Sequence, residues 1–220
     1  MPRTLFLTSA GLPLETRDYF LQLLPKKPKD CKVAFIPTAA DPEEDKTYVH
    51  LMIDQLKEIG FQVEEVDLKT CQLEELFGRL SFCDVIYTNG GNTFYLLDWI
   101  RKSGFDRFIE PLLGMGKIYL GVSAGSIIAG PSIEVAGWKN IDTDVVGLKD
   151  LSAMNLVPFM IFPHYGERHC ALIEKESKKT KYPIVALTDQ QAIVVKDGKY
   201  KIVGTGKPLF FNGAEKFFDH

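Results

Sequence analysis

Short apolar runs recur along the chain, and longer stretches with polar residues at helical spacing separate them. Thr4–Leu7, Val33–Ile36, Phe61–Val66, Val85–Thr88 and Ile118–Val122 read as strands, the second stopped by Pro37, which cannot donate to a ladder. From Glu43 to Ile59 the spacing predicts a helix, with Tyr48, Leu51, Met52, Leu56 and Ile59 on one face and Gly60 as a left-handed stop. Strands that are almost wholly apolar are buried on both faces, and helices supply the crossovers. The pattern therefore predicts a mainly parallel sheet in a three-layer α/β sandwich. The last third changes rhythm. Ile184–Leu187, Ala192–Val195, Tyr200–Val203 and Leu209–Phe211 follow closely, and Asp197-Gly198 is a strong hairpin signal. Antiparallel strands at the C-terminal edge of the same sheet are expected. Without an internal repeat, low-complexity tract or linker, residues 1–220 are expected to form one domain.

Composition narrows the class. With 220 residues, 45% hydrophobic and 25% charged, the chain is an ordinary globular one rather than disordered or collagenous. A net charge of -3 gives no electrostatic pull toward nucleic acid. No apolar run approaches the roughly 20 residues of a membrane helix, and the apolar start is too short for a signal-peptide core. Cys31, Cys71, Cys83 and Cys170 lack CxxC spacing, which points to reduced thiols in a cytoplasmic protein. The histidines and cysteines also lack ligand spacing, so no metal is expected. Neither G-x-G-x-x-G nor G-x-x-x-x-G-K-[ST] occurs, so no nucleotide cofactor is expected. The charge run Glu174–Lys179 reads as a solvated helix end.

The most informative segment is Gly121-Val122-Ser123-Ala124-Gly125-Ser126. It matches G-x-S-x-G directly after an apolar strand and before Ile127-Ile128-Ala129, the context of a nucleophile elbow. A serine on such a turn is thrust off the backbone surface, and small flanking residues avoid collision. The Ala124 amide, at the opening of a helix, can donate to an oxyanion. Ser126, a turn further on, is the weaker candidate. A second glycine turn, Asn89-Gly90-Gly91-Asn92-Thr93, follows Val85–Thr88. Paired glycines let the backbone approach a bound group, so the Gly91 amide is a candidate second oxyanion donor. Asn92 is a candidate both for the helix cap and for contact with substrate.

A serine nucleophile needs a base. His164 follows the apolar run Val157–Phe162 at a strand end, whereas His50 lies in a helix, His169 reads as helical and His220 is the last residue. The base needs a carboxylate to orient it. Asp189 follows another apolar run, while Glu134, Asp142 and Asp144 lie in the segment after the elbow. The stretch from Pro131 to Lys149 is also a candidate lid.

These motifs, Asn89–Phe94, Gly121–Gly125 and Phe162-Pro163-His164 in that order, together with Phe35–Ala39, resemble peptidase family S51, the peptidase E and cyanophycinase group. The resemblance spans most of the chain. It implies a flavodoxin-like or class-I-glutamine-amidotransferase-like fold and a serine peptidase that cuts after an N-terminal aspartate in short peptides. Ser123 matches the nucleophile, His164 the base, and Gly91 with Ala124 the oxyanion amides. Some peptidase E members carry their triad acid about fifteen residues after the serine, where this chain has Trp138. Cyanophycinase-like members use a glutamate before a late strand, and Asp189 matches that position, one methylene shorter. Arg168 resembles the arginine that receives the substrate carboxylate, and Glu167 is the candidate for its ammonium. A cyanophycinase-like or β-aspartyl peptidase and a non-catalytic binding domain are the alternatives. The expected partner is a small peptide, with no nucleic acid or membrane, and the chain is expected to be a monomer or a homodimer.

Overall fold

The computed structural model describes residues 3–139 and 142–218. His220 lies outside them. Five parallel strands, β1 (Thr4–Thr8), β2 (Lys32–Ile36), β3 (Gln62–Glu65), β4 (Val85–Thr88) and β5 (Ile118–Val122), make most of a seven-stranded sheet of order β3-β2-β4-β5-β1-β8-β9. Their alternation assigns each side chain to a face. Leu5, Leu7, Ala34, Ile36, Ile86 and Tyr119 enter one core, and Phe6, Val33, Phe35, Val85, Tyr87 and Leu120 enter the other. Helices α1 (Leu14–Leu21) and α2 (Thr47–Ile59) cover the second face. The first is covered by α3 (Leu73–Ser81), α4 (Thr93–Ser103), α5 (Phe105–Gly114) and α6 (Ala124–Ile127). This is the expected three-layer arrangement around a mainly parallel sheet. At its outer edge β3 exposes Glu64 and Glu65, charges that discourage pairing with another chain.

Helix α2 begins later than the periodicity predicts and turns a different stripe inward. Val49, Ile53 and Leu56 are buried, while Leu51 is 57% exposed. Its stop is as predicted, with Gly60 at φ 106°. The C-terminal third departs further. Strands β8 (Gln191–Lys196) and β9 (Lys199–Gly204) do add antiparallel to β1. They are joined by Asp197 and Gly198, both at positive φ as a two-residue hairpin of this hand requires. The other two runs leave the sheet. β7 (Ile184–Ala186) pairs parallel with β6 (Met160–Phe162) and antiparallel with β10 (Leu209–Phe211) in a separate three-stranded sheet. Closeness in sequence suggested one edge. β7 is buried throughout and packs its apolar residues into the core over the first face, so it cannot serve as a half-exposed edge strand. Helix α7 (Cys170–Ser177) links β6 to β7.

Because β6 and β7 run parallel, both carry their C-terminal ends to one side, and both ends meet the C-terminal end of β1. This juxtaposition makes the site.

Candidate active site

The elbow is held by close backbone packing. A Cβ on Gly121 would stand 2.5 Å from the Gly125 carbonyl oxygen, and one on Gly125 would stand 2.1 Å from the Thr88 oxygen. Neither glycine can be replaced without moving a strand. Between them Ser123 adopts φ 50° and ψ -109°, a strained conformation for a non-glycine residue that such packing enforces. The Ser123 amide is anchored on Thr8, and its carbonyl accepts from the amides of Ser126 and Ile127. Helix α6 is only four residues long, so the Ala124 amide acts as a local donor rather than as the end of a long dipole. Ser126 is fully buried, with its hydroxyl 2.8 Å from the Thr8 carbonyl and 2.7 Å from that of Gly121, which gives it a structural place.

The second glycine turn lies directly against the serine. A Cβ on Gly90 would be 3.1 Å from Ser123 Cβ. Gly91 sits at φ 134°, and a Cβ there would be 2.3 Å from the Ala39 oxygen, so only glycine fits. Among the described residues the amides of Gly91 and Ala124 donate to no protein acceptor. Asn92 is absorbed by structure: Oδ1 caps α4 by accepting from the Tyr95 amide, and Nδ2 donates to the Thr143 carbonyl.

His164 follows β6 and Pro163. Its Nε2 lies 2.9 Å from Ser123 Oγ, and its Nδ1 lies 2.6 Å from Asp189 Oδ1. Asp189, past the end of β7, is thus the carboxylate brought to the imidazole. The other candidates are engaged elsewhere. Glu134 pairs with the Ser132 hydroxyl, Asp142 accepts from the Thr93 amide and hydroxyl, and Asp144 accepts from the amides of Val146 and Gly147. The hydrogen bond from His164 holds the Asp189 carboxyl below the usual carboxylate range, against the opposing effect of burial. The imidazole charge, the Ser9 hydroxyl and Lys139 add to the lowering. His50 is exposed, and His169 accepts from the Gly166 amide and packs on Phe162.

One residue at this junction had no motif to announce it. Ser9, fully buried after β1, donates to Asp189 Oδ1 at 2.9 Å and accepts the His164 amide at 2.6 Å. His164 itself has φ 54°, so this amide bond fixes an unusual backbone turn under the imidazole.

A cavity of about 400 Å³ opens over Ser123. The candidate lid segment contributes Val135, Ala136, Lys139 and Asp142 to its wall. Glu167 and Arg168 do not line it. They are exposed in a short 3-10 turn before α7, where Arg168 Nε lies 3.3 Å from His169 Nε2. The cation on the wall is instead Lys139, half-buried, 2.5 Å from the Pro163 carbonyl and over the Phe162 ring. Burial pulls its ammonium down to about 8, while Asp189 and Asp142 oppose the shift and Arg168 adds to it. Among the described residues no cluster of His, Cys, Asp and Glu could hold a metal ion, and no helix is long and apolar enough to cross a membrane.

A strand-end serine beside an imidazole can serve acyl-transfer chemistry, and comparison with known proteins places the chain in a peptidase family. The sequence pattern of peptidase family S51 matches residues 5–203, so the chain belongs to that family. It is 33% identical to the uncharacterized peptidase PM1590 of Pasteurella multocida over 80% of this chain and 86% of that one. It is 27% identical to peptidase E of Shewanella denitrificans over 92% of this chain and 86% of that one. A crystal structure from Listeria monocytogenes, provisionally described as a peptidase E, superposes with a TM-score of 0.80 at 31% identity, covering 94% of this chain and all of the other.

Proposed function

We propose that the protein is a serine peptidase that removes an N-terminal aspartate from short peptides through an acyl-enzyme. The observation that carries this reading is the continuous contact from Asp189 to His164 to Ser123, with spacings of 2.6 and 2.9 Å. His164 Nε2 takes the Ser123 proton as Oγ attacks the scissile carbonyl. Asp189 keeps the other ring nitrogen protonated and stabilises the imidazolium. The Gly91 and Ala124 amides donate to the oxygen as it becomes negative. His164 then protonates the departing amine, and water, deprotonated by the same imidazole, releases the acyl group. The aspartyl substrate is what the resemblance to the peptidase E group implies, and a cavity of about 400 Å³ suits a dipeptide better than a branched polymer.

The test is hydrolysis of Asp-Leu and an aspartyl anilide, beside β-Asp-Leu and neutral dipeptides. Wild type should cleave the α-aspartyl substrates preferentially, and Ser123→Ala should lose at least about 10⁴-fold in kcat while remaining folded. Turnover retained in that variant would remove Ser123 from the chemistry. An inert wild type would favour a binding protein on the same scaffold.

A further inference from the structure

We propose that Glu43 and Lys139, on the wall of the cavity over Ser123, are the residues that recognise the substrate's charges: Glu43 its free α-ammonium and Lys139 its side-chain carboxylate. This rests on the peptide-binding reading above and assigns both roles away from Glu167 and Arg168.

Among the described residues the cavity wall carries two carboxylates, Glu43 and Asp142, and one lysine or arginine, Lys139. Asp142 is occupied as a cap of α4, through Oδ2 on the Thr93 amide and hydroxyl. Glu43 is differently placed. Its Oε2 accepts from the Tyr48 hydroxyl at 2.7 Å, while Oε1 has no partner among the described residues. Burial and the adjacent Glu43 push the Tyr48 phenol well above its ordinary range, so it stays a donor and holds the carboxylate in one orientation. The same hydroxyl lies 3.2 Å from the Gly90 carbonyl, which ties Glu43 to the turn against Ser123.

Lys139 is tied to the other side. Its ammonium donates to the carbonyl of Pro163, the residue before the base. That bond uses one of three donors, and two remain for a ligand. The two neighbours of the nucleophile, the Gly90 turn and His164, are thus linked respectively to an anchored anion and an anchored cation on the same cavity wall. An N-terminal aspartyl residue presents the matching pattern. Its ammonium and its CH₂-carboxylate leave one α-carbon in different directions, and that carbon is bonded to the carbonyl under attack. A neutral first residue would leave Lys139 half-buried without a carboxylate partner, and an acylated amine would leave Glu43 likewise unmatched. Both mismatches discriminate through lost pairing in a partly dry site.

The experiment measures binding, so that it does not depend on turnover. Ser123→Ala protein is titrated calorimetrically with Asp-Leu, Ala-Leu and N-acetyl-Asp-Leu. Asp-Leu should bind at least tenfold more tightly than either of the others. Adding Lys139→Gln should erase the advantage over Ala-Leu, and Lys139→Arg should keep much of it. Adding Glu43→Gln should erase the advantage over the acetylated peptide. Arg168→Ala should preserve both differences. The assignment fails if Asp-Leu shows no advantage, or if Arg168→Ala removes the preference that Lys139→Gln leaves intact. Thermal melts of each variant establish that it is folded. A wild type that hydrolyses none of these peptides while the binding differences hold would overturn the acyl-enzyme reading alone.

Discussion

The two halves of the site are built on different sheets and to different standards of rigidity. The serine and the glycine turn rise from the large parallel sheet, where Gly121, Gly91 and Gly125 sit against backbone with no room for a methyl group. The imidazole and the carboxylate hang from the ends of two three-residue strands, with side chains 43% and 61% exposed. The first half is positioned by steric exclusion, which is stiff and costly to alter. The second is positioned by hydrogen bonds near water, which are weaker and easier to retune. Among the described residues Ser9, at the large sheet's rim, bonds to both members of the second half.

If that contrast is right, changes in the second half should cost rate without stability. The largest effect expected in this half is in Asp189→Asn, where kcat should fall roughly 10³-fold while the melting temperature near neutral pH falls only by a small margin. The lowered Asp189 carboxyl adds stability above the ordinary carboxylate range, and that contribution is lost as pH falls through its depressed value. Below about pH 4 the wild type should therefore lose its margin over the variant in thermal melts. Conversely, Gly125→Ala should cost about 3 kcal/mol or more, because its Cβ meets the Thr88 carbonyl, and chemical denaturation should report it. A melt unchanged from wild type would show that the elbow is softer than its packing suggests.

Ser9→Ala should lower kcat about tenfold, and the part of the effect that acts through Asp189 should disappear in the Asp189→Asn background. Fully additive losses would mean that Ser9 acts through the His164 amide and not through the carboxylate. The smallest effect concerns pH. Lys139 faces Asp189, Asp142 and Arg168, and it loses its charge above about 8. Both peptides lose their own α-ammonium near the same pH, so affinity of the Ser123→Ala protein for Asp-Leu should decline more steeply above it than affinity for Ala-Leu. A parallel decline for both peptides would place the titration elsewhere.

Residues whose placement follows from local chain geometry were readable in advance. Ser123, Gly91, His164 and Asp189 each follow an apolar strand, and strand ends share an edge in such folds. Ser9 also follows a strand, yet an isolated serine carries no pattern, and its partners lie 155 and 180 residues away. Glu43 and Lys139 come from loops, where tertiary packing alone decides which way a side chain faces. Arg168 was placed by resemblance, and the short turn after His164 leaves it at the surface. The strand partners of β7 were missed for a related reason: an apolar run states that it is buried, not which sheet buries it.

The small sheet has a further consequence. The strand that ends near Asp189 is flanked on its far side by Leu209–Phe211, a segment only a few residues before the end of the described chain. Clipping or retagging the polypeptide just upstream of Leu209 would strip that flank and loosen the acid from behind. The final strand thus braces the strand before Asp189 from its far side, and truncation there should lower kcat while leaving Ser123, His164 and Asp189 in the chain.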